Sequence, residues 1–212
     1  MIFDEIDGVL FDMDGTLVDS EQHTVGAMQA VLEEHHAGPL TLRAEAVYGV
    51  SWGAISDLLK AAHPELSDES ITDSLILNFR RLCRTHGATL VPGILDFFDW
   101  ASSRFSVGLF TSNVRSEVDA LLGEYTAFQR LQAIVTADDV TQAKPDPEGY
   151  LLLARTLGLQ PGRCLVFEDS LAGLQAAKAA GMRTVGVTHS CPDKSIIESH
   201  SDLLISDYRS IL

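Results

Sequence analysis

The sequence predicts an α/β protein with a mostly parallel sheet, helices on both its faces, and an all-helical subdomain inserted after the first strand. Three observations carry this expectation. Short apolar runs recur at residues 7–12, 107–111, 133–136, 164–167, 184–187 and 203–205, and strands buried on both faces of a parallel sheet read as such runs. Most of these runs are followed by a stretch with helical spacing, and strand–helix alternation of this kind builds a Rossmann-like, doubly wound core. Residues 19–87 break the alternation, because they offer helical segments only.

Taken in order, residues 7–12 form an apolar run that stops at acidic residues and Gly15, as a strand does when it feeds a loop. Val25, Met28, Val31 and Leu32 then share one helical face, and Ile71, Leu75, Phe79 and Leu82 share another. His-Gly and Val-Pro-Gly between Gly87 and Gly93 mark the return of the chain. The core is therefore expected at residues 1–18 and 88–212, with 19–87 as a cap above the strand ends. Thr111, Ser112 and Asn113 close the next run, and by themselves they read as a cap for a helix around Glu117. Pro147 sets the first turn of a helix over 148–157, with Tyr150, Leu151, Ala154 and Leu157 on one face. A helix over 171–180 is closed by Gly181.

Composition narrows the function classes. At 212 residues and 46% hydrophobic, the chain can bury one sizeable core plus a smaller unit. Its formal net charge of −15 repels nucleic acid and anionic membranes. Its apolar runs fall well short of the roughly 20 residues of a membrane span, and the acidic start lacks the positive region of a secretory signal. A cytoplasmic, monomeric protein without membrane or nucleic-acid partners is the expectation. Cys83, Cys164 and Cys191 are widely spaced, which suggests neither a disulfide framework nor a zinc site; they read as ordinary thiols, two of them buried. The His35-His36 pair reads as a solvated helix end without function.

Chemistry concentrates at strand ends. Asp12 and Asp14, one residue apart, leave the tip of the first run on the same side, and Gly15 permits the tight turn that follows. One carboxylate can attack while the other moves a proton. The same element also fits an acidic turn capping a helix, although no Glu stands at the calcium-loop spacing. Glu168 and Asp169 end a second apolar run, and alone they fit a helix N-cap. If parallel strands bring the four acids together, each pair at ~4 Å repels by roughly 4 kcal/mol at an effective dielectric of ~20. A hard divalent cation relieves this, and an all-oxygen site suits magnesium. Lys144, in the Lys144-Pro145-Asp146-Pro147 loop, could hold the nucleophile ionised and neutralise phosphoryl oxygens. Thr111, Ser112 and Asn113 offer hydroxyl, amide and backbone donors to a phosphate.

Together these residues resemble the haloacid dehalogenase-like hydrolase superfamily, in the group with a helical cap that includes β-phosphoglucomutase, sugar phosphatases and phosphoglycolate phosphatase. The four motifs are Asp12-Met-Asp-Gly-Thr-Leu-Val-Asp19, Thr111-Ser-Asn113, Lys144-Pro-Asp-Pro147 and Glu168-Asp-Ser-Leu-Ala-Gly173, in the family's order over essentially the whole chain. The resemblance implies Asp12 as nucleophile and Asp14 as general acid and then base. It implies Thr111 and Lys144 as phosphate binders, and Asp12, Asp14 through its carbonyl, and Asp169 as magnesium ligands. Glu168 is a ligand or an acid behind the ligands in relatives. A magnesium-dependent phosphatase that passes through a phospho-aspartate and acts on a small ester, with sugar phosphates ranked first, is the expectation.

Asp14 disfavours dehalogenation, since breaking a carbon–halogen bond needs no leaving-group proton. The mutases of the group carry His where Thr24 aligns and Arg where Trp52 aligns, and without that Arg the clamp for a distal phosphate is missing. Hydrolysis is favoured over a β-phosphoglucomutase-like reaction, with phosphoglycolate left open as a substrate. Trp52 fits either the cap core or a substrate face. A receiver-like phospho-switch shares the acids, the Lys-Pro and the magnesium, but it is shorter, uncapped and phosphorylated on a mid-chain strand.

Overall fold

A computed structural model describes residues 2–19, 21–43, 47, 52–66, 70–86, 89–189 and 194–211. The expected apolar runs form six strands: β1 (Gly8–Phe11), β4 (Ser106–Phe110), β5 (Ala133–Val135), β6 (Cys164–Glu168), β7 (Arg183–Val187) and β8 (Leu203–Ile205). They build one sheet in the order β5-β4-β1-β6-β7-β8, with every pairing parallel. A separate ribbon pairs β2 (Val18–Asp19) with β3 (Thr89–Leu90). The chain runs outward from β1 through β4 to β5 and then crosses to β6 on the other side of β1. The strand order therefore reverses beside β1, the place where open α/β sheets bind ligands.

Both faces of the sheet are covered, which is why its strands read as unbroken apolar runs. On one face, Leu10, Phe110 and Val166 pack with Tyr150, Leu153 and Ala154 of α6 (Glu148–Leu157) and with Met182. On the other, Phe11 and Phe167 stack at 5.5 Å and meet Phe97 of α4 (Ile94–Ser102) and Tyr208. Alternate residues of each strand thus feed alternate cores. The buried face of α6 differs from the expected one, because Leu151 is exposed and Leu153 is buried. Leu153 and Ala154 follow Tyr150 at three and four residues, whereas Leu151 is rotated by about 100°. Helix α7 (Leu171–Ala179) ends before Gly181, whose φ is 78°.

By contact the chain divides into two units, Met1–Asp19 with Leu90–Leu212, and Ser20–Thr89. The second unit holds α1 (Glu21–Glu34), α2 (Trp52–Ala62) and α3 (Thr72–His86). Its core gathers Met28, Val31, Leu32, Ile55, Leu59, Ile71 and Leu75. Trp52 packs against that core and sits edge-on to Phe79 at 5.0 Å. At the α1–α3 contact, Glu34 accepts from Ser74 Oγ at 2.7 Å and from Asn78 Nδ2 at 3.0 Å. His35 is half-buried and His36 exposed just past α1. Cys164 is buried and Cys83 half-buried, while Cys191 and the Gly87 end of the expected boundary lie outside the described residues.

Candidate active site

The sheet register assembles the site. Gly8 of β1 lies opposite Ser106 on one side and Cys164 on the other, and Phe11 lies opposite Leu109 and Phe167. The residues that leave these strands therefore emerge together at the carboxyl edge. Asp12 continues the ladder by donating its N–H to the Phe167 carbonyl at 3.0 Å. Its side chain is buried, at 9% exposure. The chain then turns sharply: Leu17 and Val18 donate to the Met13 carbonyl, and Gly15 donates to that of Val18. Gly15 has a φ of 73°, and a Cβ there would overlap the Asp169 carboxylate, so only glycine suits the position.

Lys144 is the cation of the cluster. Its ammonium donates to Asp12 Oδ1 and to Glu168 Oε1, each at 2.5 Å, and it is 7% exposed. The rings of Phe110 and Tyr150 face it at 4.9 and 5.5 Å, which favours a cation. Burial opposes the charge on Lys144, but Asp12 and Glu168 more than offset it, and the ammonium is held above its ordinary range. Asp12 is pushed up to about 8 by burial, against the pull of Lys144, with Glu168 and Asp14 adding to the rise. Two buried carboxylates share one ammonium here.

Glu168 is fully buried, and its acceptor positions are filled. Oε1 accepts from Lys144 and from the Tyr150 hydroxyl at 3.2 Å, and Oε2 accepts from the Ser170 N–H and hydroxyl at 3.0 and 2.9 Å. Ser170 is also the N-cap of α7, its Oγ accepting from the Gly173 N–H. The cap of α7 is thus Ser170, and the Glu168 side chain turns back toward Lys144. A Cβ on Gly173 would overlap the Glu168 carboxylate. One carboxylate oxygen from each of Asp12, Glu168 and Asp169 lies within 4.8 Å of the others, a set that could hold a metal ion.

Thr111 follows β4 and is buried, and its N–H donates to the Val135 carbonyl at 3.1 Å. Its Oγ1 accepts from the Asn113 N–H at 3.1 Å. Asn113 Nδ2 donates to Asp14 Oδ2, and the Asn113 carbonyl accepts from Ala137 at 2.9 Å. One N–H of the Asn113 side chain is thereby turned to the second acid, while Ser112 stands exposed. Asp12, Glu168 and Lys144 meet directly, Asp169 borders them, and Asp14 is tied to Asn113. Sequence reasoning assigned no role in the site to Tyr150 or Gly173: Tyr150 carried only the signal of a core helix face, and Gly173 entered only as the last residue of the fourth motif.

The sequence and the fold both match known proteins. The family model for haloacid dehalogenase-like hydrolases matches residues 9–187. The chain is 32% identical over 206 residues to validoxylamine A 7′-phosphate phosphatase of Streptomyces hygroscopicus subsp. limoneus, covering 95% of this chain and 94% of that protein. It is 31% identical over 213 residues to a phosphoglycolate phosphatase of Pseudomonas putida, covering 96% and 78%. The crystal structure of CbbY from Rhodobacter sphaeroides in complex with xylulose-1,5-bisphosphate superposes with a TM-score of 0.73 at 26% identity, covering 96% of this chain and 95% of that one.

Proposed function

The chain belongs to the haloacid dehalogenase-like hydrolases and, with relatives named as phosphatases, is a hydrolase of phosphate esters, and from that premise we propose that it hydrolyses a small monoester, a sugar phosphate first, with Asp12 as nucleophile. The observation that carries the proposal is the meeting of Asp12, Lys144 and Glu168 at the strand tips, with Asp169 at their border. Relatives named as acting on phosphorylated carbohydrates and on fructose 1-phosphate support the substrate class.

An Asp12 oxygen attacks phosphorus, the bond from phosphorus to the ester oxygen breaks, and Asp14 gives its proton to the departing alcohol. Water then attacks the aspartyl phosphate while Asp14 takes its proton. The bond between phosphorus and the Asp12 oxygen breaks, releasing inorganic phosphate and the free carboxylate. Lys144 keeps Asp12 aimed and balances charge on the phosphoryl oxygens, and the Thr111 hydroxyl would donate to one of them. Asn113 holds Asp14 in place, which gives it a role in orienting the acid rather than in direct phosphate binding. The donor set fits magnesium, because Asp12 and Asp169 are hard oxygen donors at the border of a buried negative cluster. Asp12, Asp169 and the Asp14 carbonyl would hold it, and when bound it would offset the charge that the phosphoryl group brings. Glu168 serves as the anchor of Lys144.

Phosphate release from sugar phosphates, phosphoglycolate and p-nitrophenyl phosphate, with magnesium and with EDTA, tests this on wild type and Asp12→Asn. Magnesium-dependent release that falls by about 10³-fold or more in Asp12→Asn is expected. Undiminished release from Asp12→Asn would overturn the assignment, and isomerisation of glucose 1-phosphate without net release would replace hydrolysis by a mutase reaction.

A further inference from the structure

The ammonium of Lys144 rests on a loop, and a lysine side chain with four rotatable bonds is only as well placed as the backbone that carries it. The loop spans residues 140–147. Thr141, Gln142 and Ala143 are exposed, so burial does not fix them. Glu148, the first residue of α6, does so from both ends. Its carboxylate accepts the Thr141 N–H at 3.1 Å, the Thr141 hydroxyl at 2.9 Å and the Gln142 N–H at 2.7 Å. Its own N–H donates to Asp146 Oδ1 at 2.9 Å, and the Asp146 N–H donates to the Ala143 carbonyl at 3.0 Å.

The carboxylate therefore leaves the helix it begins and closes the loop over Lys144. Two positions further on, Tyr150 donates to Glu168 and faces the ammonium. Between them, Gly149 leaves room for the Phe110 ring, which a Cβ there would overlap. One helical turn thus sets the loop, the wall and the counter-acid of Lys144. The Thr141 and Gln142 donors hold the Glu148 carboxyl below its usual range, so it is ionised wherever the enzyme would work.

We propose that Glu148 is a positioning residue of the phosphate site, which acts through residues 141–147 to hold the Lys144 ammonium between Asp12 and Glu168. The proposal rests on the phosphatase reading above for its kinetic consequence. Glu148→Gln is the informative change, because the amide keeps one acceptor and turns an NH₂ toward loop N–H groups. A misplacement of ~1 Å can cost about 10²-fold in rate, so a fall in kcat of about tenfold or more is expected.

The experiment compares wild type, Glu148→Gln, Lys144→Ala and the double variant on p-nitrophenyl phosphate at saturating magnesium, alongside hydrogen exchange of peptides covering 141–147. If Glu148 acts through Lys144, Glu148→Gln changes kcat by less than about twofold in the Lys144→Ala background. Exchange over 141–147 quickens by about tenfold or more in Glu148→Gln. An equal fall in kcat in both backgrounds refutes the route through Lys144. Quicker exchange with unchanged kcat refutes any bearing on the site, and unchanged exchange refutes the hold on the loop. Should Lys144→Ala not fold, the exchange and the kcat of Glu148→Gln alone decide in the same terms. Should wild type release phosphate from no ester, the functional reading falls by itself. Exchange and the labelling of Lys144 by an amine-acylating reagent, expected to rise several-fold in Glu148→Gln, then still judge the positioning.

Discussion

Replacing Glu168 by Gln separates the anchoring of Lys144 from the binding of a cation. All four acceptor positions of this carboxylate are taken, two by Lys144 and Tyr150 and two by Ser170, so serving an ion would cost it one of these bonds. The amide keeps one oxygen. With that oxygen toward Lys144, its NH₂ meets the Ser170 N–H, and the orphaned donor costs about 1–3 kcal/mol. The substitution also removes one of three acids whose oxygens lie within 4.8 Å of one another, relieving roughly 3 kcal/mol for each of two pairs at an effective dielectric of ~20, but it breaks the buried ion pair with Lys144, which costs about 3–5 kcal/mol. These terms nearly cancel, so the melting temperature is expected to stay within about 5 °C. Turnover should not survive as well: Lys144 loses one of its two fixed acceptors, and kcat falls by about 10- to 100-fold. Half-saturating magnesium is expected to move by less than about threefold, whereas Asp169→Asn, which removes one of the proposed ligands, should raise it by about 30-fold or more. Initial rates on p-nitrophenyl phosphate over a magnesium series measure both quantities. A Glu168→Gln enzyme that needs as much magnesium as Asp169→Asn and regains full kcat at saturation would make Glu168 a ligand and refute the anchoring argument.

Gly173→Ala should gain nothing from its better helix propensity, worth up to about 1 kcal/mol, because the new Cβ overlaps the Glu168 carboxylate. A fall in kcat of about tenfold or more is expected from the displaced anchor, and unaltered kcat would show that Glu168 can move without cost. Asp207 accepts from the Arg209 guanidinium at 2.7 and 3.0 Å and from its N–H, which together lower its pKa to about 2. A lowered carboxylate pKa stabilises the fold above the unfolded value near 4 and loses that contribution as pH falls toward 2. Arg209 is 69% exposed, so solvent screening limits the effect to roughly 1 kcal/mol. Urea titrations of Asp207→Asn and wild type should differ by this amount at pH 7 and converge at pH 2, and a gap that persists at pH 2 would assign the effect to something other than ionisation. Trp52→Ala removes the contact with Phe79 and the α1–α3 core and should cost about 2–4 kcal/mol in urea unfolding. The ratio of KM values for a sugar phosphate and p-nitrophenyl phosphate should stay within about twofold; a tenfold change would put the indole on the substrate.

The strands were legible in the sequence because burial on both faces leaves each one a compact apolar run, as in Cys164–Glu168. The motif residues were legible for a related reason. A carboxylate such as Asp12 or Glu168 directly after an apolar run is costly to bury and calls for a partner. What stayed hidden was direction. Spacing alone put Leu151 on the core face of α6, but the three-and-four-residue steps from Tyr150 select Leu153 and Ala154. Asn113 reads as a phosphate donor by type, and spacing did not announce that its Nδ2 also donates to Asp14. The link from Tyr150 to Glu168 spans 18 positions and was not foreseen, whereas that from Lys144 to Asp12, which spans 132, was expected from the chemistry of the two groups. No local pattern encodes pairs so far apart, because only the sheet brings them together.

That dependence binds the chemistry to the register of three strands. Leu10, Phe110 and Val166 feed one core while Phe11 and Phe167 feed the other, so a slip of one residue between β1 and β6 would turn each set toward the wrong face. The same slip would carry Asp12 away from the Phe167 carbonyl that fixes it and set Glu168 out of reach of the ammonium it now shares with Asp12. Hydrophobic packing thus selects the one alignment in which the acids meet their lysine. Buried charge opposes that alignment and packing enforces it. A variant that loosens the Phe11–Phe167–Tyr208 stack, though all three rings are buried, is therefore expected to lower kcat along with stability. Phe167→Leu tests this, and a loss of stability with kcat intact at temperatures where the protein is fully folded would uncouple the two.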